Sequence, residues 1–454
     1  MGVFHTINGK IGTLNKAAYP SGSWIGWSLQ KMTAEIAILN PHGVALAADS
    51  AVTIGTQKII NSAIKLFSLS KTEPVGIMVY GNASLLGMPW ETLIKFYRKK
   101  NIGNKFNTLE EYGTNFIEFI NLNVNLFPLS LQTNWFQTEL INLLEVILSD
   151  AHLLEQTQID NKGTVKKFEE NFHDSLENAI LFLDNKEISC LTVDFTQNDI
   201  REKIKNDSIE ILLEFKNSNN LTNIPDDRLI DLAILIVQKH ISSQTNAGIV
   251  ISGFGDEEVY PSILTYDISG VYLNNLIFKI QKDKTFFNKN GDAPVSQVLA
   301  FAQEDVVVSF LKGVSSDVRQ FVTKAFDDLI TNIYQNPIQN LPIDQDWYDL
   351  IESKKESLIN NFNTEFESFL HNSYLSPMYN MIHFLPKDEL AAMAESLVNI
   401  TAFKRKMLFS SLETVGGPID VAVISKGDGL VWVKRKHYFQ AEHNRHFFDN
   451  YFKG

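Results

Sequence analysis

Four residues of types that can cooperate in amide hydrolysis stand in order near the start of the sequence: Thr33, Asp49, Lys65 and Gly81. A threonine hydroxyl is a weak nucleophile and needs a base within reach. When threonine is the first residue of a chain, its own α-amine can be that base, with an unperturbed pKa of about 7.7–8.0. A neighbouring lysine ammonium lowers the amine's pKa by like-charge repulsion, and a carboxylate can keep that lysine charged and in place. A backbone N–H can stabilise the developing oxyanion. Taken one at a time, the same residues read as an ordinary strand threonine, an ordinary ion pair and a strand-ending turn glycine.

Their context weighs against that plainer reading. The segment Thr33-Ala34-Glu35-Ile36-Ala37-Ile38, continued by His42-Gly43-Val44-Ala45-Leu46-Ala47-Ala48-Asp49-Ser50, resembles the start of a mature proteasome β-subunit and of the bacterial HslV peptidase. In that family a threonine heads the mature chain, and an aspartate, a lysine and a glycine follow at set distances. Here Asp49 lies 16 positions and Lys65 lies 32 positions after Thr33, and Gly81 sits in Val79-Tyr80-Gly81-Asn82-Ala83. The resemblance is to a bacterial proteasome-type protease with large helical insertions. It implies an N-terminal-nucleophile (Ntn) hydrolase of α+β class, a four-layer αββα sandwich, with Thr33 as nucleophile. Asp49 and Lys65 would support Thr33, and the Gly81 N–H, at a helix start, would form the oxyanion site. It further implies a threonine-type endopeptidase with no cofactor and no metal, acting on peptide or protein substrates as a homo-oligomer. Whether an ATP-dependent unfoldase partner exists is left open.

Further positions carry over from the same family. Val52 and Thr53 fall on the edge strand that binds the peptide backbone. Val79 falls at the base of the first specificity pocket, with Ala63 and Ala83 near its wall, and core packing accounts equally well for these three. Late in the chain, Glu413-Thr414-Val415-Gly416-Gly417-Pro418-Ile419-Asp420 is similar to the family's Asp-x-x-Ser-Gly-Gly segment. Glu413 then takes the acid's place and Gly416 the serine's, a departure that removes a supporting hydroxyl. A second supporting serine is also unmatched, with Ala302-Gln303 in its neighbourhood. Two other functions stay open: an Ntn amidohydrolase acting on a small amide, and an inactive interaction protein with a vestigial site.

Thr33 needs a free amine. Residues 1–32 are expected to be a leader that is cleaved off. Alternatively Met32 is the true start, removed by an aminopeptidase because Thr33 is small. From there, Ile36 to Ile38 and Val44 to Ala48 flank the turn signal Asn40-Pro41-His42-Gly43 and predict a hairpin. Strands are also expected near Leu66–Leu69, Val75–Tyr80, Ile249–Gly253 and Ser262–Ile268. Two more, Ile419–Ser425 and Leu430–Lys434, are joined by Gly427-Asp428-Gly429. A helix ending at Tyr97-Arg98-Lys99-Lys100 starts or bends at Pro89. Helical spacing such as Phe136, Leu140, Leu143, Leu144 and Ile147 dominates residues 101–245, and helix returns at 316–376 and 387–406. The division is then core 33–100, helical insertion 101–245, core 246–315, helical insertion 316–386, and core with C-terminal tail 387–454.

Composition narrows the partners. With 40 basic and 53 acidic residues the net charge is −13, which disfavours nucleic acid. The most apolar run, Leu229 to Val237, is broken by Asp231 and is far short of the ~20 residues a spanning helix needs, so no membrane partner is expected. The single cysteine, Cys190, sits in an apolar context as a structural thiol, and a cytoplasmic location fits. His437, His443 and His446 could ligate zinc, but their aromatic and basic neighbours favour a tail docked on the core. Gly253-x-Gly255 lacks the third glycine of a dinucleotide loop and reads as a turn.

Overall fold

The structure is a computed structural model. It describes residues 34–54, 58–60, 62–160, 166–186, 198–239, 241, 243, 245–288, 295–338, 345–407, 416–437 and 439–452. Strands β1 (Ala34–Asn40) and β2 (Gly43–Ala48) form the expected hairpin, and the Asn40 side chain accepts the His42 N–H at 2.9 Å to shape its turn. Both strands are buried along their whole length, which explains their apolar character outside Glu35 and Asn40. A two-stranded ribbon follows, β3 (Val52–Ile54) with β4 (Lys58–Ile60). Next come β5 (Leu66–Ser68), β6 (Val75–Gly81) and the small hairpin β7 (Ser84–Leu85) and β8 (Met88–Pro89). Helix α1 (Trp90–Lys100) starts directly after Pro89, with Glu91 in its first turn and Arg98, Lys99 and Lys100 in its last, as the helix dipole favours.

Helices α2 (Leu109–Leu122), α3 (Leu129–Asp160), α4 (Phe168–Asp184), α5 (Asn198–Ser218) and α6 (Asp226–Gln238) occupy the middle of the chain. Strands β9 (Ala247–Gly253), β10 (Ser262–Tyr272), β11 (Asn275–Ile280) and β12 (Gln297–Ala302) precede a second run of helices. These are α7 (Asp305–Lys312), α8 (Ser316–Ile338), α9 (Gln345–Leu370), α10 (Ser376–Phe384) and α11 (Lys387–Met407). A π-helical turn at His371–Leu375 joins α9 to α10, beside Pro377, whose ring and missing N–H are incompatible with an undisturbed helical ladder. Strands β13 (Asp420–Ser425) and β14 (Gly429–Lys434) and helix α12 (Arg445–Phe452) close the chain.

The long strands make two antiparallel five-stranded sheets, ordered β12-β1-β2-β13-β14 and β11-β10-β9-β6-β5. Ala37, Leu39, Leu46, Met78, Tyr80 and Val250 fill the space between them. On the outer face of the first sheet, Ile36, Ile38 and Val421 pack on Leu390, Ala394 and Val398 of α11. On the outer face of the second, Ile77, Val79 and Ile249 pack on Trp90 and Ile94 of α1 and Phe116 of α2. Helices α3 to α6 have a core of their own, including Phe136, Leu144, Phe172 and Leu232, which meets the second sheet at Tyr272 and Ile277. The chain is thus of mixed α and β class with antiparallel sheets. Among the described residues no helix is long and apolar enough to cross a membrane.

Candidate active site

Side chains on β1 alternate: Ala34, Ile36 and Ile38 point toward α11, Ala37 and Leu39 between the sheets. Glu35 shares the parity of Ala37 and is fully buried. Asp49 follows β2, where its N–H donates to the Ala34 carbonyl at 3.2 Å, and it too is buried. Its Oδ1 accepts the Ala34 N–H at 3.4 Å and its Oδ2 accepts the Gly416 N–H at 3.0 Å. Lys65 comes from the other sheet: it precedes β5, and its carbonyl accepts the Val79 N–H of β6 at 2.8 Å. Its Nζ crosses to the first sheet, 2.5 Å from Asp49 Oδ1 and 3.1 Å from Glu35 Oε1. Burial is the largest single influence on Lys65 and pulls its pKa down, but Glu35 and Asp49 together outweigh it and hold the pKa above the ordinary lysine value. Near neutrality Lys65 is an ammonium.

A second buried pair adjoins the first. Lys436, just after β14, pairs with Asp420 Oδ2 at 3.0 Å and donates to Ser50 Oγ, which donates in turn to the Pro418 carbonyl. The Ser50 N–H donates to the Gly416 carbonyl at 3.1 Å, so residues 416–420 are tied to the end of β2 by both partners. Burial lowers the Lys436 pKa below the ordinary lysine value; Asp420 opposes that effect and Lys65 adds to it.

Gly81 ends β6 with φ +78°, and a Cβ there would lie 2.6 Å from the Asn246 carbonyl oxygen. Only glycine fits that conformation and that approach. The loop beyond is pinned: the Asn82 N–H donates to the Asn246 carbonyl at 3.2 Å and its Nδ2 to the Thr245 carbonyl at 3.1 Å. A cavity of about 250 Å³ opens beside it, lined by Asn82, Ser84, Leu85, Trp135 and Thr245. The helix expected directly behind Gly81 begins only at Trp90, because the β7–β8 hairpin fills the interval, so the dipole of α1 does not act at Gly81.

No family model and no curated protein matches the chain. Solved structures similar to it include two Anbu structures. One is the helical assembly of the Anbu complex from Pseudomonas aeruginosa, at 11% identity and TM-score 0.25, over 92% of this chain and 93% of that one. The other is Anbu (ancestral beta-subunit) from Yersinia bercovieri, at 10% identity and TM-score 0.24, over 92% of this chain and 94% of that one. A likeness that loose carries no argument about mechanism. It does correct the family drawn from the motif. The neighbours are Anbu complexes, proteasome-like but distinct from the proteasome β-subunits and HslV. The sequence motif spans only residues 33–98, and a motif that short cannot separate families that differ elsewhere in the chain.

The other sequence-derived positions are scattered around this centre. Val79 is buried in the core with Trp90 and Ile94, Ala63 is half-buried and donates its N–H to the Ser50 carbonyl at 3.1 Å, and Ala83 is exposed. Val52 and Thr53 pair with Ile60 and Ile59 in the small ribbon. Thr33, Glu413, Cys190 and the first 32 residues lie outside the described residues. His437 packs on Phe439 and Phe448, with ring centroids 5.2 and 5.8 Å away. Among the described residues no group of three or more His, Cys, Asp or Glu is placed to hold a metal ion. Glu35, Ser50, Asp420 and Lys436 had no assigned role in the sequence. The available signal was a carboxylate inside an otherwise apolar strand run, at Glu35 and again at Asp420.

Proposed function

We propose that the chain is a threonine-type Ntn hydrolase that cleaves peptide bonds through an acyl-enzyme on Thr33. One observation carries this reading. The buried Lys65 ammonium is held by Asp49, and Asp49 Oδ1 lies 3.4 Å from the Ala34 nitrogen, the atom bonded to the Thr33 carbonyl carbon. Consecutive Cα atoms are about 3.8 Å apart, so Thr33 is one residue from that charge. Lys65 is protonated and cannot be the base, which leaves the α-amine of Thr33 for that task. The amine takes the hydroxyl proton as Oγ1 attacks the substrate carbonyl carbon. The proton passes to the leaving nitrogen as the C–N bond breaks. Water, deprotonated by the same amine, then hydrolyses the ester. The N–H of Gly81 is assigned to the oxyanion from the resemblance of the Thr33–Gly81 motif, while its φ of +78° accounts for the glycine at that strand end.

In this reading the two sheets with helices on both outer faces form an αββα sandwich. Residues 101–245 and 316–386 are helical insertions, and the segment before Thr33 is removed. A peptide lies along the edge at Val52 and Thr53 by strand addition, with its side chain toward Val79, Ala63 and Ala83. The protein assembles as a homo-oligomer. The test is intact mass and N-terminal sequencing of purified protein, followed by a peptide epoxyketone, whose ring closure needs the hydroxyl and the free amine of one residue. The expected result is a chain beginning at Thr33 and a single adduct on it. A mature chain beginning elsewhere, or a folded protein with Thr33 unlabelled, would overturn the proposal.

A further inference from the structure

Helix α3 carries a buried acid on its apolar face. Glu139 lies about one turn from Phe136 and Leu143, both core residues of the helical block α3 to α6, and it is buried with them. A carboxyl group removed from water costs free energy unless hydrogen bonds replace the solvent. Here the replacements come from the residues that lead into β9. Glu139 Oε1 accepts the Thr245 hydroxyl at 2.5 Å, and the Ser243 hydroxyl lies 2.8 Å from that of Thr245. Burial raises the Glu139 pKa above the ordinary glutamate value against the pull of both hydroxyls, and among the described residues no cation pairs with it. An apolar side chain would serve the helical core without that cost, so the carboxyl group is explained by what it holds.

We propose that Glu139 is a positioning residue of the candidate site: from the helical block it fixes the segment before β9 on which Gly81 is seated. Its bearing on catalysis rests on the reading of Gly81 as the oxyanion donor. Every link is a hydrogen bond. The Thr245 N–H donates to Ser243 Oγ at 3.2 Å, and Ser243 Oγ donates to Asn246 Oδ1 at 3.0 Å. Asn246 is itself buried, and its Nδ2 donates to the Ile241 carbonyl at 3.0 Å. The backbone carbonyls of Thr245 and Asn246 then receive the Nδ2 and the N–H of Asn82. The Asn246 carbonyl is also the group that leaves no room for a Cβ at Gly81, and Gly81 pairs with Ala247 across β6 and β9. Displacing Asn246 therefore turns the strand end that carries the Gly81 N–H.

Glu139→Gln keeps an acceptor oxygen and Glu139→Leu removes it. Amide hydrogen exchange on the full-length chain reads the link without any hydrolysis. In Glu139→Leu, exchange at Asn82 is expected to rise about 10–100-fold over wild type, and far less in β13 and α11, while Glu139→Gln stays within a few-fold. In a peptide assay Glu139→Leu should lower kcat by about 10–100-fold with little change in KM, and Glu139→Gln should restore most of it. If wild type hydrolyses no peptide yet exchange at Asn82 responds, the oxyanion reading fails and the clamp stands. A folded Glu139→Leu protein whose Asn82 exchanges as in wild type would overturn the clamp. Exchange that rises evenly along the chain would do the same, because that is a general loss of stability. Thr245→Val breaks the same bond from the other side and is expected to reproduce the local effect if Glu139→Leu does not fold. Wild-type Asn82 exchanging at the rate of an unstructured peptide overturns the proposal without any variant.

Discussion

Lys65 reaches Asp49 and Glu35 from a strand end of the opposite sheet, and its removal would leave two buried carboxylates without their cation. Breaking a buried pair from one side costs about 3–5 kcal/mol. Lys65→Ala is therefore expected to lose that much stability in urea denaturation as well as its activity. Lys65→Arg, which keeps the charge, separates the two effects, and a Lys65→Ala protein as stable as wild type would contradict the pairing. The sign with pH follows from the raised folded-state pKa. The stabilisation is fully present below the unfolded lysine value of about 10.4, and it fades as pH rises through the folded value. The stability difference between wild type and Lys65→Ala should be flat from pH 7 to 9 and shrink above about 10.4. Thr33→Ala is expected to lower peptide hydrolysis by at least about 10²–10⁴-fold, measured on a fluorogenic peptide with folding checked by circular dichroism. The pairing of Asp49 with Lys65 was legible because it follows from their set spacing in the linear chain. Glu35 was not, because one carboxylate in a strand has no visible face until a second sheet covers it. Gly416 contributes a backbone N–H to Asp49, a group that every residue type but proline offers and that residue identity cannot announce.

At the scale of elements, legibility followed burial and turn chemistry. Strands β1, β2, β6, β9 and β13 are mostly apolar runs bounded by turn residues, and these were readable. The hairpin of β10 and β11 was only half visible, since its two-residue turn is Leu273-Asn274 with φ of +51° and +59°. Leucine is a costly occupant of that left-handed pair, and the pattern gives no hint of it. Strand β12 pairs with β1 from Ala34↔Ala302 to Leu39↔Gln297, a long-range partnership that no local period encodes. Gly81 is the element end on which the proposed site depends. Gly81→Ala forces an L side chain into φ +78° and sets a methyl 2.6 Å from the Asn246 carbonyl oxygen. We expect it to destabilise the fold by about 1–3 kcal/mol and to cut activity in the fraction that stays folded. Thermal denaturation with an activity assay on the same sample reads both, and an unchanged melting temperature would show that the loop relaxes freely.

The whole molecule divides its helices unequally. Helices α1, α2 and α11 bury their apolar faces on the sheets, and α3 to α6 on one another. Helices α8 and α9 hold together in part through the stacked rings of Phe326 and Phe362, with centroids 3.9 Å apart. They still leave Phe321 at 72% and Trp347 at 59% exposed, with Leu329, Ile333 and Phe369 also out, and Phe384 at the end of α10 is 75% exposed. Isolated exposed apolar residues need no explanation, but so many large ones on one run of helices do. A charge of −13 favours solubility without hiding those faces. Self-association between copies of the chain would cover them. The protein is therefore expected to form a homo-oligomer at micromolar concentration in light scattering. Phe321→Glu combined with Phe384→Glu should dissociate it with little change in melting temperature, because neither ring belongs to a buried core. Deleting residues 316–386 tests the same surface more severely, with circular dichroism to confirm that the sheets persist. A wild-type monomer across that concentration range, or an assembly indifferent to both charges, would mean that this face serves a different partner.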